Sequence, residues 1–188
     1  MIAKSKVACF SGHRKLPQNC GQLAADLEAA IVSLIERGVV FFGAGGALGV
    51  DMLAEEAVLR LKERYPQIRL VLVLPCPPEQ QTLKWNAEQC RRYYDIMAKA
   101  DKVRVLSDRY TSSCMLDRNR HMVDSSGYLI CYLRENRGAN TMFAQLPQRS
   151  VFREANNACT DAAQHRATGG TAYTVRYAES RGTEIIKL

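Results

Sequence analysis

Short apolar runs and longer amphipathic stretches alternate along most of this chain. The runs are brief and lack the alternation of apolar and polar residues that is typical of a sheet with one solvent-exposed face. They predict strands at 7–11, 39–42, 69–74, 102–106, 128–133 and 184–188. Strands of this kind are typical of a mainly parallel sheet that is covered on both faces.

The stretches between the strands have helical spacing. Between Gln22 and Glu36 apolar residues recur every three or four positions, and Gly38 ends the pattern. Further helices are predicted at 50–64, 82–99, 112–124 and 172–181. Alternating strands and helices favour an α/β fold, a three-layer Rossmann-like domain spanning 1–188. In such sheets ligands bind beyond the carboxyl ends of the strands.

Residues 138–169 interrupt this alternation. The segment is rich in Ala, Asn, Gln, Arg and Thr, and its spacing predicts a loop over 138–149 and a helix over 150–166. Because a structureless connection of this length is unusual in a compact domain, we interpret it as an excursion inserted into the single domain.

A glycine loop, Gly-Ala-Gly-Gly-Ala-Leu-Gly-Val-Asp, fills residues 43–51 between a predicted strand and a predicted helix. Backbone N–H groups at a helix start suit a phosphate. We therefore expect the loop to present amides from Gly45, Gly46 and Gly49, with Asp51 accepting from a ribose hydroxyl or orienting the loop. The spacing matches neither the dinucleotide fingerprint nor a P-loop. The alternative is a tight turn in which Asp51 is a cap or a packing residue.

A second candidate segment, Gly12-His13-Arg14, follows the first strand. Gly12 allows a close approach, His13 can donate to a ligand oxygen, and the Arg14 guanidinium can fork onto phosphate or carboxylate oxygens. The alternative is a surface loop with an incidental histidine.

Two further segments lie later in the chain. On the helix 112–124, Arg118 would supply charge, and Asn119 and Asp124 would support the pocket or recognise the ligand; ordinary surface ion pairs are the alternative. Gly169-Gly170-Thr171 precedes the last helix and forms either a second phosphate cradle or a simple helix start capped by Thr171.

Charge and cysteine content narrow the function. The net charge of +7 permits anionic small molecules or nucleic acid as ligands, but the arginines are dispersed, which disfavours a dedicated nucleic-acid surface.

No apolar run reaches the length of a membrane span and no signal peptide is evident, so we expect a cytoplasmic protein without a membrane partner. Seven cysteines form no Cys-x-x-Cys pair, so no metal site is expected. Cys9 and Cys131 lie in apolar runs and should be buried.

Taken in order, these motifs resemble one family. They are Ser-Gly-His-Arg, Gly-Gly-Ala-Leu-Gly-Val-Asp, Leu-Val-Leu-Pro-Cys, the helix with Trp85, Arg-Asn-Arg-His-Met-Val-Asp and Gly-Gly-Thr-Ala-Tyr-Thr. The family is the YpsA-like (DUF1273) branch of the SLOG superfamily, Rossmann-like proteins related to DprA and to the LOG cytokinin-activating enzymes. The resemblance covers 7–135 and 170–188. It implies a pocket for a nucleotide or nucleotide derivative, with NAD or ADP-ribose as candidates, but no established reaction.

The chain departs from its relatives in two places. The LOG phosphoribohydrolases carry Pro-Gly-Gly-x-Gly-Thr-x-x-Glu, whereas Ala172-Tyr173-Thr174 here bring no matching glutamate. This difference argues against a direct transfer of their catalysis. Joining Gly138 to Gly170 would restore the family's uninterrupted segment, so 138–169 resembles an insertion. Either Gly169 replaces the first glycine of the cradle, or the loop is displaced and binding suffers.

We therefore expect a protein that binds a nucleotide-type small molecule and has a sensing or regulatory role, with homo-oligomer formation left open. One alternative is a phosphoribohydrolase-like enzyme with Asp51 or Asp124 as its acid/base. The other is a DprA-like binder of single-stranded DNA, favoured by the basic charge and the kinship alone.

Overall fold

One parallel sheet organises the fold. In the computed structural model, which describes residues 2–133 and 169–188, six strands lie in the order β4-β3-β2-β1-β5-β6, and every neighbouring pair is parallel. The strands are β1 (Val7–Gly12), β2 (Phe41–Ala44), β3 (Arg69–Leu74), β4 (Lys102–Val105), β5 (Tyr128–Tyr132) and β6 (Glu184–Lys187). The strand order changes direction at β1, between β2 and β5, and this is where parallel sheets open a crevice for ligands.

Helices cover both faces of the sheet. They are α1 (Cys20–Glu36), α2 (Val50–Arg64), α3 (Pro78–Gln81), α4 (Ala87–Lys99), α5 (Cys114–Asp124) and α6 (Gly170–Ser180). One core contains Phe10 and Phe42 with apolar residues of α1, α2 and α4. The other contains Cys9 and Cys131 with residues of α5 and α6. The predicted three-layer α/β architecture is thus confirmed, and both cysteines are buried, as expected.

The predicted helix at 82–99 is wrong in its first turn. Pro78 starts the short helix α3, and α4 begins only at Ala87. Asn86 caps α4: its side chain accepts from the Gln89 amide (2.9 Å), while the Asn86 amide donates to the Gln89 side chain (3.1 Å). This capping box starts a new helix where the apolar spacing alone indicated continuity.

The prediction that the strands are covered on both faces is also wrong for β4, because all four of its residues are exposed. Among the described residues β4 pairs only with β3, at the edge of the sheet. Because Lys102 and Arg104 lie on this edge, their charges disfavour pairing with another chain.

The predicted insertion falls almost entirely outside the described residues. Leu133, just beyond β5, and Gly169, just before α6, flank the gap, and the loop and helix predicted for 138–149 and 150–166 lie outside what the structure describes. Within the described ranges, no helix has the length and apolar character needed to cross a membrane.

Candidate functional site

A cavity of about 540 Å³ opens at the carboxyl end of β1. Its walls come from the β1–α1 loop, the start of α2, one face of α5 and the first turn of α6. We call it the edge cavity; its lining residues are Phe10, Ser11, Gly12, His13, Arg14, Lys15, Ala47, Asp51, Met115, Arg118, Asn119, Gly170 and Thr171. The volume is in the range of small-molecule sites. Most sequence-predicted site residues, drawn from four separate segments, therefore meet here.

Gly12 and Gly49 hold the β1 loop against the start of α2. A Cβ on Gly12 would lie 2.4 Å from the Val50 Cβ. A Cβ on Gly49, whose φ is +88°, would lie 2.4 Å from the carbonyl oxygens of His13 and Arg14. The Val50 amide donates to the His13 carbonyl (3.2 Å). Glycine is needed because two backbones approach closely, so Gly49 shapes the floor without lining the cavity.

Arg118 and Asp51 form a buried ion pair in this floor. Both residues are 6% exposed, and Arg118 Nη1 lies 3.3 Å from Asp51 Oδ2. Burial raises the pKa of the Asp51 carboxyl, while Arg118 and the amides of Ala47 and Gly45 oppose the shift by stabilising the charged form. Asp51 is thus oriented and neutralised by its neighbours.

Glu55, one turn after Asp51 on α2, was not identified from the sequence. It is fully buried, and its Oε1 accepts from the Gly46 amide at 2.9 Å. Burial, followed by the charge of Asp51, raises the pKa of Glu55 to about 8. The signal available in the sequence was the spacing: two acids four residues apart share the otherwise apolar face of this helix.

The glycine loop is therefore held by the protein's own carboxylates. The Gly46 amide binds Glu55, the Gly45 amide stabilises Asp51, and neither glycine lines the edge cavity. The Gln81 side chain donates to the Gly46 carbonyl (2.6 Å) and closes the loop from the other side. This differs from the expectation that these amides face a phosphate, because a buried carboxylate requires donors as much as a phosphate does.

The start of α6 forms another wall. Gly169, with φ of +77°, occupies the N-cap position, and no side-chain hydrogen bond caps this helix end. Thr171 is accordingly not the cap, and with Gly170 it lines the edge cavity. Asn119 donates to Thr174 Oγ1 (2.9 Å), and Thr174 donates to the Gly170 carbonyl (2.8 Å), so Asn119 positions this turn.

Asp124 lies apart from the other predicted site residues. It ends α5 at the far side, where it accepts from Tyr177 (3.0 Å) and Arg181 (2.8 Å) and lines a different cavity, on the sheet face near β3. The structure therefore gives Asp124 the role of joining α5 to α6. Asp51 is the only one of the two proposed acid/base residues at the edge cavity.

A second cavity of about 430 Å³ adjoins the first and shares Arg14, Ala47 and Met115 with it. We call it the side cavity; its remaining lining residues are Gln80, Gln81, Leu83, Lys84, Trp85 and Tyr110. Of these the sequence drew attention only to Trp85. Over residues 2–133 and 169–188, no group of three or more His, Cys, Asp or Glu side chains is arranged to hold a metal ion.

Residues 13–159 match the family described as the YspA SLOG family. The chain belongs to this family. A UPF0398 protein from Halalkalibacterium halodurans is 31% identical over 130 residues, which make up 68% of this chain and 68% of the relative. The UPF0398 protein YpsA of Bacillus subtilis is 28% identical over 112 residues, or 58% of this chain and 61% of the relative. The YpsA-like membership predicted from the motifs is confirmed.

A solved structure of DNA processing protein A from Helicobacter pylori, described for its single-stranded DNA binding mode, has a similar fold. The TM-score is 0.56 at 15% identity, and the match covers 98% of this chain and 65% of that one. At this identity the likeness shows a common fold alone.

Proposed function

We propose that the protein binds a nucleotide-type small molecule in the edge cavity and acts as a sensor or regulator. The observation that carries the proposal concerns Arg118, which lines the cavity although the residue is only 6% exposed. Its buried Nε has no hydrogen-bond partner in the structure. A buried arginine N–H without a partner is costly, and an anionic group in the cavity would satisfy it.

The surrounding charge supports a phosphate as that anionic group. Arg14 and Lys15 border the same cavity, and the first turn of α6 contributes the positive end of an 11-residue helix. Asp51 is the acidic residue of the lining and is neutralised by Arg118. We infer that the phosphate lies between Arg14 and the start of α6, with a sugar toward Asp51. NAD and ADP-ribose fit this arrangement as candidate ligands.

Titration calorimetry on the full chain tests the proposal with matched pairs of compounds. AMP and ADP-ribose should bind, and adenosine, which lacks the phosphate, should bind at least tenfold more weakly, because charge-assisted hydrogen bonds are lost. Binding of adenosine as tight as AMP would overturn the phosphate assignment, and no binding of AMP, ADP-ribose or NAD would overturn the proposed ligand class.

A phosphoribohydrolase activity receives less support from this arrangement. Asp124 lies outside the edge cavity, and Asp51 is held by Arg118 in the cavity floor. A general acid/base must reach the bond that breaks, and a carboxylate locked in an ion pair is poorly suited to exchange protons. Release of free adenine from AMP by the purified protein would nevertheless establish the enzyme.

Binding of single-stranded DNA is the second candidate, and the likeness to DNA processing protein A is what favours it. The net charge of +7 and the exposed Arg14 and Lys15 are compatible with a phosphate backbone. This function predicts an affinity for oligonucleotides that falls steeply as the salt concentration rises, because binding to the phosphate backbone releases counterions.

A further inference from the structure

The side cavity adjoins the edge cavity, and the two differ in chemistry. Arg14, Ala47 and Met115 border both cavities, so a ligand that extends across this shared rim would contact both. The edge cavity is lined by cationic side chains and a helix start, whereas the side cavity contains two aromatic rings, Trp85 and Tyr110. A ligand that fits both would carry an anionic group at one end and a flat ring at the other.

Two of the most exposed large apolar side chains among the described residues line the side cavity. The exposed fractions are 57% for Tyr110 and 81% for Leu83, and both residues line it. Exposed apolar side chains that lie together along a cavity are found in ligand-binding grooves. An aromatic ring at such a position offers a face on which a nucleobase can stack.

The elements that carry these rings are fixed in place. The Tyr110 amide donates to Gln80 Oε1 (2.6 Å), which ties the β4–α5 loop to α3. The Trp85 amide donates to the Thr82 carbonyl (2.8 Å), and the indole packs edge-on against buried Tyr93, with ring centroids 5.4 Å apart. Backbone hydrogen bonds therefore hold both ring-bearing segments beside the side cavity.

We propose that the side cavity is a nucleobase subsite in which the base stacks on Tyr110 beside Trp85, while the phosphate of the same nucleotide lies in the edge cavity. This inference rests on the proposed function, since the edge cavity must hold the phosphate. Arg14, on the shared rim, would lie between base and phosphate. The shared chemistry is a base joined to a phosphate, supplied by a free nucleotide or by a single strand.

Calorimetry with ribose 5-phosphate and with AMP, GMP, CMP and UMP separates the two cavities. At least one mononucleotide should bind wild type about 5- to 150-fold more tightly than ribose 5-phosphate, the range expected for stacking one base. Tyr110→Ala should abolish this difference and leave the affinity for ribose 5-phosphate unchanged. Tyr110→Phe, which keeps the ring, should retain it, and a thermal melt verifies that both variants fold.

Each outcome bears on a different cavity. If all four mononucleotides bind no better than ribose 5-phosphate, or if Tyr110→Ala keeps the full difference, the nucleobase subsite is overturned while the phosphate site stands. If wild type binds none of the five compounds, the nucleobase subsite is overturned, and the proposed function fails as well if ADP-ribose and NAD do not bind either. A 20-nucleotide oligothymidylate distinguishes the source, and it should bind no more tightly than the mononucleotides. Oligothymidylate binding far more tightly than any mononucleotide, with both weakened in Tyr110→Ala, would overturn the free nucleotide in favour of a strand.

Discussion

Arg118 lies directly over Gly45: a Cβ added to Gly45 would stand 0.8 Å from Arg118 Nη1. The absence of a side chain at Gly45 is what lets the guanidinium reach Asp51 across the glycine loop. The glycine therefore makes room for the Arg118 side chain on α5, and Arg118 follows Gly45 by more than seventy positions in the sequence. One consequence is that the glycine loop and α5 depend on each other for stability.

Gly45→Ala should accordingly destabilise the protein. The methyl group displaces Arg118 and breaks the buried pair, which typically costs roughly 3–5 kcal/mol. Gly21→Ala is the matched control, because the added Cβ would have its nearest neighbour at 3.8 Å, and its effect should stay below ~1 kcal/mol. Urea unfolding measures both. Equal free energies of unfolding in the two variants would mean that Arg118 can move away from Gly45 without loss of stability.

Arg14→Ala should weaken AMP binding about tenfold or more without loss of stability. Arg14 is exposed at the rim of both cavities, so the variant removes a charge-assisted hydrogen bond rather than a packed side chain. Arg91→Ala, an exposed arginine on α4, removes the same charge away from the edge cavity and should leave the affinity unchanged. Calorimetry gives both values. If the two variants bind alike, Arg14 is a surface residue.

Glu55→Gln should change how stability depends on pH. The pKa of Glu55 is raised to about 8 from an ordinary value of 4.5, first by burial. As the pH rises between those values, the unfolded chain releases the Glu55 proton while the folded chain keeps it, so this group lowers the free energy of unfolding. Glutamine accepts from the Gly46 amide without a proton to lose. The variant should therefore gain stability relative to wild type across this window.

Urea unfolding at several pH values across the window measures this difference. Glu63→Gln, on the exposed part of the same helix, controls for the loss of one formal charge. A constant difference between Glu55→Gln and wild type at every pH would contradict the raised pKa. Below pH 4.5, the ordinary pKa of a glutamate, Glu55 should be protonated in both the folded and the unfolded wild type. The difference in stability between the two proteins should then stop changing with pH.

Removal of the predicted insertion should leave the fold intact. A chain that joins Gly138 to Gly170 keeps the contacts that hold α6, namely Asn119 with Thr174 and Asp124 with Tyr177 and Arg181. These contacts are made by described residues on both sides of the gap. Circular dichroism and a cooperative thermal transition close to that of wild type are the expected results. Aggregation of the shortened chain would mean that 138–169 is an integral part of the domain.

The sequence by itself determined the elements and the edge of the sheet at which the site lies. Apolar runs such as Leu70–Leu74 and the helical spacing from Gln22 to Glu36 are local patterns, and they predict strands and helices because each follows from side-chain periodicity. Parallel strands then bring the loops after them to one edge, so Gly12–Arg14 and Asp51 could be placed near each other without coordinates. The motifs Ser-Gly-His-Arg and Gly-Gly-Ala-Leu-Gly-Val-Asp were sufficient to indicate the family.

Only the tertiary structure decided how the polar groups are paired. Arg118 and Asp124 lie on the same helix, yet one reaches the edge cavity and the other joins α6, because six residues along a helix turn a side chain to a different face and end. The Gly46 amide was expected to face a phosphate, but buried Glu55 accepts from it. The neighbourhood of Tyr110 and Trp85 depends on how α3 packs against the β4–α5 loop. Such pairings depend on distances between segments far apart in the chain, which periodicity does not encode.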